Sequence, residues 1–228
     1  MSRGCMMTDK PMRTSLNRRA CLSLLLLAVS MASVGCDVVG WTLDSTVGGP
    51  KEVKVAAEYK GLAGKRVAVI VAADEQTLYG HPGAPLAITK AVSAQLATAL
   101  TDVKVANPEQ VVEFQRKNPY WATLPYKMLL KKLEADRLIV IDLATYSTHE
   151  PGNTHVWRGV ATASVSVAEA DAENPNNLTY TQAVSARFPE LQPVGVLDAE
   201  ESTIELGLNR EFATRISRLF FEHQVMVK

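Results

Sequence analysis

Two short apolar runs in the chain predict the centre of a β-sheet. Residues 66–73 and 138–143 consist mainly of valine, isoleucine, leucine and alanine, and polar or glycine residues flank both runs. Strands that are buried on both faces have this pattern, because neither face meets water. We therefore expect both segments to be core strands of a sheet that helices cover.

Two longer segments predict strands with only one buried face. Residues 157–167 and 178–188 place apolar and polar side chains at alternate positions, which is the period of a strand that has one solvated face. Asn and Pro residues at 174–177 favour a turn between them. We expect an antiparallel hairpin, which residues 138–147 extend to a three-stranded meander.

Helical spacing of apolar residues predicts the remaining elements. Residues 86–100 and 204–220 repeat apolar positions every three or four residues, as amphipathic helices do. Between them, Asn107 and Pro108 form a capping pair that starts one shorter helix, and Pro125 starts another.

The order of these elements predicts the fold class. Counted from the first apolar run, and with a short strand at 102–106, the order is β-α-β-α-α-β-β-β-α. This order predicts an α/β fold of the mixed α+β kind, in which a mixed β-sheet carries helices mainly on one face. Partial alternation at 51–59 predicts a further strand ahead of this order.

The first 35 residues have the organisation of an export signal. Basic residues up to Arg19 precede an apolar run at 20–29, and small residues at 32–35 precede Cys36. Only 16 residues separate Arg19 from Cys36, whereas a spanning helix needs about 20. Met12 is an alternative start, because the residues before it add nothing that such a signal needs.

Ser33-Val34-Gly35-Cys36 resembles a bacterial lipobox. The resemblance implies cleavage between Gly35 and Cys36 and fatty acylation of Cys36, for example with palmitate. The alternative is an ordinary signal peptidase site that leaves Cys36 a free thiol. The predicted organisation is an export signal at 1–35, a lipidated cysteine and tether at 36–60, and a single domain at 61–228.

Charge and cysteine content exclude several classes of protein. The chain has 24 basic and 24 acidic residues, but the first 35 residues contain five basic and one acidic residue. The rest of the chain therefore has 19 basic and 23 acidic residues and carries a net negative charge. Nucleic-acid binding depends on clustered Lys and Arg, so we expect no nucleic-acid partner. All the cysteines, Cys5, Cys21 and Cys36, precede the body, so the body has no disulfide and no cysteine zinc site.

One loop is the best candidate for a small-molecule site. Gly80-His81-Pro82-Gly83 follows the first core strand, with Asp74 nearby, and open α/β sheets bind ligands at the carboxyl ends of their strands. His149, Glu150 and His155 are also metal-ligand types, but Pro151-Gly152 marks a loop between them. We read that segment as a polar hairpin tip, and we expect no metal site, no cofactor and no catalytic group.

Aromatic residues between the two short helices are candidates for a partner surface. Tyr120 and Trp121 follow Pro119 in a connecting segment. Exposed aromatic residues are enriched where interfaces concentrate their binding energy. The alternative is that both side chains fill the core.

The element order resembles that of bacterial envelope lipoproteins with the fold of the TolB amino-terminal domain. This group includes the curli-secretion lipoprotein and lipoprotein activators of penicillin-binding proteins, and the resemblance covers roughly residues 65–222. The carrying segments are 66–74, 86–100, 103–108 and 130–140.

The resemblance implies a non-enzymatic binding or assembly module. It would be lipid-anchored in the cell envelope through Cys36 and face the periplasm, with an unidentified envelope protein as partner and either membrane as its location. The alternative is a periplasmic ligand-binding protein or enzyme that uses the Gly80–Gly83 loop.

Overall fold

The computed structural model describes residues 51–150 and 152–227. The predicted export signal, Gly35, Cys36 and the tether up to residue 50 lie outside the described residues. Residues 53–225 form one compact unit. The described residues outside that unit, 51–52 and 226–227, are the outer ends of its first and last strands.

Eight strands and five α-helices make up the described chain. The strands are β1 (Lys51–Val55), β2 (Arg66–Ala73), β3 (Lys104–Val105), β4 (Arg137–Glu150), β5 (Asn153–Glu169), β6 (Leu178–Phe188), β7 (Val194–Gly195) and β8 (His223–Val227). The helices are α1 (Glu75–Gly80), α2 (Ala84–Ala99), α3 (Pro108–Lys117), α4 (Tyr126–Lys132) and α5 (Glu201–Ser217), with a 3-10 turn at Trp121–Thr123.

The main sheet is mixed, as the sequence predicts. Its strands lie in the order β3-β2-β4-β5-β6, and β7 adds a short pairing to β5. β2 runs parallel to both β3 and β4, whereas β4, β5 and β6 are successively antiparallel. The two apolar runs are therefore neighbours at the centre, and the predicted meander is confirmed. β1 and β8 form a separate two-stranded sheet.

Helices cover both faces of the mixed sheet, and the two longest lie on the same face. The two long helices, α2 and α5, bury Ile88, Leu96, Leu208 and Phe212 against the sheet side that carries Val69. The shorter α3 and α4 pack on the opposite side against Ala68, Ile70 and Leu138. This double cover explains why the central strands are apolar at nearly every position.

Several short elements differ from the sequence prediction. The strand expected at 102–106 has only two paired residues, and the strand expected at 51–59 ends at Val55, inside the segment assigned to the tether. α1, β7 and β8 have no counterpart in the predicted order. α1 and β7 have six and two residues, which is too short for a periodic pattern to develop.

A buried arginine joins the segment before β2 to the ends of β4 and β5. The Arg137 side chain is 6% exposed and forms ion pairs with Asp171 and Glu169, and it donates to the carbonyl oxygen of Gly61. Hydrogen bonds from Arg137 and Lys65 hold the pKa of the Asp171 carboxyl well below its usual range. The stability that Asp171 contributes is therefore present above the unfolded-state pKa and is lost as the pH falls through the folded-state value.

Tyr59 fastens the amino-terminal segment to the same network. Its ring packs against Tyr180 and Phe220, and its hydroxyl donates to Glu169, 2.9 Å away. Burial and the neighbouring Glu169 raise the pKa of Tyr59 to about 12. The backbone N–H groups of Glu58 and Tyr59 both donate to the carbonyl oxygen of Leu219.

Replacing Arg137 tests this network. We expect Arg137→Ala to lower the free energy of unfolding by about 3 kcal/mol, because it leaves the partly buried Glu169 carboxylate without its cationic partner. Arg66→Ala is the matched control, since its side chain is 50% exposed in its ion pair with Glu134, and it should cost under about 1 kcal/mol. Urea denaturation at pH 7 measures both, and equal losses would contradict the assigned role of Arg137.

A second prediction concerns the close approach of α5 to β6. A Cβ added at Gly207 would collide with the ring of Phe188. Alanine favours a helix over glycine by about 1 kcal/mol, but overpacking costs about 1–3 kcal/mol, so Gly207→Ala should lower the urea midpoint. Gly80→Ala meets nothing within 4 Å and should leave the midpoint unchanged or raise it.

Candidate functional site

In the register of the central strands, β4 extends beyond the end of β2. Ala73, the last residue of β2, pairs with Leu143, and β4 continues for seven residues to Glu150. The α1–α2 connection and the first turns of α5 pack beside this extension of β4. The predicted His81 loop therefore lies against β4 and α5.

Asp74 and His81 have different surroundings. Asp74 caps α1: its Oδ1 accepts from the backbone N–H of Thr77 at 2.8 Å, and this hydrogen bonding lowers the pKa of the exposed carboxyl. His81 instead contacts α5, with its Nδ1 lying 2.7 Å from Oε1 of Glu205. Its side chain is only 15% exposed, and its ring packs edge-on against Tyr146 at 5.0 Å between centroids.

α5 contributes a row of polar side chains that contact His81 and the extension of β4. Glu201, Glu205 and Asn209 follow one another at a spacing of four residues, which puts them on one helix face. The hydroxyl of Thr148 donates to Oε1 of Glu201 at 2.6 Å, and that of Tyr146 donates to Oδ1 of Asn209 at 3.0 Å. Tyr146 and Thr148 lie two residues apart on β4 and thus hydrogen-bond to the last and the first residue of the α5 row.

Burial and the two carboxylates of this row together disfavour ionisation of Tyr146. Burial, followed by the charges of Glu205 and Glu201, raises the pKa of Tyr146, although its hydrogen bond with Asn209 acts in the opposite direction. Among the described residues, His81 is the basic side chain that forms an ion pair with Glu205, and no lysine or arginine pairs with either glutamate.

The His81 cluster, defined as His81, Glu201 and Glu205, brings together one imidazole and two carboxylates. One ligand atom from each residue lies within 4.8 Å of the others. Imidazole nitrogen and carboxylate oxygen are ligands of divalent transition metals. The sequence predicts His81 at a ligand site, but the prediction includes neither Glu201 nor Glu205. The available signal was the four-residue spacing of two acids at the start of a helix.

His149 and His155 lie on the two strands of the β4–β5 hairpin. The ring of His149 packs against Trp157 at 4.2 Å between centroids, and Glu150 forms an ion pair with Arg158. His155 is exposed. The three residues are thus placed along the hairpin as the sequence indicates.

The two aromatic residues of the candidate partner surface have unequal exposure. Tyr120 is 81% exposed, whereas Trp121 is half-buried and packs against the core beneath α3 and α4. Trp121 also lines a groove on the sheet that includes Asp142 and Ser164.

Some other large apolar side chains, which were not predicted as a partner surface, are more exposed than Tyr120 or comparable to it. These are Tyr79, Leu191, Leu197 and Leu206. A sequence alone does not separate them from core residues, because their exposure depends on how α1, the loops and α5 pack on the body.

Within residues 51–150 and 152–227, no helix combines the length and apolar character needed to cross a membrane.

Comparisons with known proteins find structural neighbours only. No family model matches the chain, and no curated protein is found as a relative. The PelC dodecamer of Paraburkholderia phytofirmans is similar over 77% of this chain and 100% of its own, with 9% identity and a TM-score of 0.43. The lipoprotein GNA1162 of Neisseria meningitidis is similar over 61% and 89%, with 11% identity and a TM-score of 0.41. Because these identities and TM-scores are low, the neighbours carry no argument about the function of this chain.

Proposed function

We propose that this protein is an envelope lipoprotein whose body is a non-enzymatic binding or assembly module facing the periplasm. The observation that carries the proposal is the order of segments: a basic stretch, an apolar run, small residues, Cys36, and then a cysteine-free body. An export signal that ends at a cysteine is the arrangement that lipid attachment requires. We further propose that the body has the TolB amino-terminal-domain fold, on the order of its elements.

The physical basis of the anchor is the burial of acyl chains. Each buried methylene contributes about 0.8 kcal/mol, so one chain binds marginally and two or more hold stably. Fourteen residues, 37–50, separate Cys36 from β1, and they span at most about 50 Å when fully extended. The folded body would therefore stay close to the lipid surface, where it meets other envelope proteins.

The candidate partner surface is centred on Tyr120. An exposed tyrosine offers a large apolar area at a low cost in side-chain entropy, because it has only two side-chain torsions. Trp121, held by the core, fixes the backbone on which Tyr120 is presented. This arrangement of a rigid base and an exposed ring supports a binding role.

A second role is favoured by the geometry at His81. The Gly80–Gly83 loop carries an imidazole that contacts Glu205 and lies close to Glu201. This gathering supports the alternative of a periplasmic ligand-binding protein.

Changing Cys36 tests the anchor. In cells fed a clickable palmitate analogue, the wild-type protein should be labelled and recovered in membranes. Cys36→Ser should lose nearly all of the label and move to the soluble fraction, because no other residue of the motif carries a thiol. Cys21→Ser is the matched control and should retain both properties. Undiminished labelling of Cys36→Ser, or a mature amino terminus elsewhere, would contradict the proposal.

Site-specific photo-crosslinking tests the partner surface. A benzophenone amino acid at Tyr120 should give a discrete adduct with an envelope protein in intact cells. The same replacement at Tyr79, which is 93% exposed, is the control for accessibility alone. A discrete adduct from position 79 with none from position 120 would overturn the assignment.

A further inference from the structure

We propose that the His81 cluster binds one divalent cation of the zinc class. This inference rests on the second role proposed above for the same site and names its ligand, and the site is separate from the lipid anchor and from Tyr120. The proposal rests on the geometry of three residues, because the fold brings His81 next to two glutamates of α5 that lie more than 100 residues further along the chain.

The distances suit a single ion after small side-chain movements. Zinc bonds of about 2.0–2.1 Å in a tetrahedral arrangement place neighbouring ligand atoms about 3.3 Å apart. His81 Nδ1 and Glu205 Oε1 are 2.7 Å apart, and the widest separation among the three ligand atoms is within 4.8 Å. The close pair must open and the wider separations must close, and small torsional adjustments of the two glutamate side chains supply both movements.

The surrounding residues already orient the ligands. Thr148 is buried, and its hydroxyl donates a hydrogen bond to the Glu201 carboxylate. This hydrogen bond orients that carboxylate. Tyr146 packs against the His81 ring and is itself held by Asn209. Hydrogen-bonded and packed supports of this kind orient the ligands of metal sites and tune their affinity.

The charge balance also favours a cation. Two carboxylates share the site with one imidazole, and within the described chain their ion pairs include no lysine or arginine. A bound divalent cation would neutralise this excess. Acidic residues near a helix start also interact favourably with the helix dipole, but that role gives no reason for His81 to contact Glu205.

The ligand set selects the class of metal. Calcium and magnesium take oxygen ligands, whereas imidazole with carboxylate suits zinc and its neighbours. Three protein ligands leave a fourth position for water. The cluster borders solvent through Glu201, so an ion has a direct route to it.

Calorimetric titration of the full chain, purified in detergent and stripped of metal, tests the site. Wild-type protein should bind one zinc ion per chain more tightly than His81→Ala or Glu205→Gln, by at least a factor of 10. Thr148→Val should weaken binding by about 10- to 100-fold, as expected for a supporting residue. Magnesium should give no comparable signal.

Two control variants and the anchor variant separate the possible outcomes. His155→Ala and Glu173→Gln replace exposed residues of the same types outside the cluster and should bind zinc as the wild type does. Cys36→Ser should also retain this binding, so loss of the anchor and loss of the metal site are distinguishable.

Far-UV circular dichroism of each metal-free variant establishes that it is folded, and Glu201→Gln, which alters an exposed carboxylate, serves where His81→Ala does not fold. Absence of zinc binding to the wild type at millimolar concentration, or equal affinities in wild type and folded cluster variants, would overturn the proposal.

Discussion

The parallel pairing of β2 with β4 is the constraint on which the rest of the structure depends. Both strands are buried on both faces over most of their pairing, and seven consecutive residue pairs, from Val67 with Arg137 to Ala73 with Leu143, align them. If one strand shifted its register by one residue, its side chains that now face α2 and α5 would face α3 and α4, and the reverse. The register therefore fixes both helical layers at once, and it also determines where β4 outruns β2.

The candidate metal site follows from that overrun. Beyond Ala73, β4 has no parallel neighbour from β2, and its residues Tyr146 and Thr148 meet the His81 loop and α5 instead. Open sheets commonly bind ligands just outside the carboxyl ends of their strands. The site thus occupies a place that strand length creates, with its side chains supplied by a loop, a strand and a helix.

Much of the fold could be predicted because its signals are local. The apolar runs, the alternation of the hairpin and the Asn107 cap depend on neighbouring residues, and the structure confirms each of them. α1 could not be predicted, because a six-residue helix shows less than two turns of periodicity. β7 consists of two residues, Val194 and Gly195, whose pairing depends entirely on the position of β5.

The site was only partly predictable for a similar reason. His81 has a recognisable position after a core strand, but Glu205 lies 124 residues further along the chain. Nothing local marks Glu205 as a neighbour of His81, since most helix-start glutamates face water. Likewise, the half-burial of Trp121 beside the exposed Tyr120 depends on how α3 and α4 pack.

The attachment of Glu58 and Tyr59 to Leu219 has a mechanical consequence. A protein held at its amino terminus transmits any pull through the residues where that chain enters the folded body. Here the load would first reach the β1–β8 pairing, and then the two backbone hydrogen bonds to Leu219 and the Tyr59 ring packed against Phe220. Tension would thus be shared by β8, by the segment that follows α5 and, through Tyr59 and Glu169, by the end of β5, before it reached the β2–β4 pairing that positions the His81 cluster.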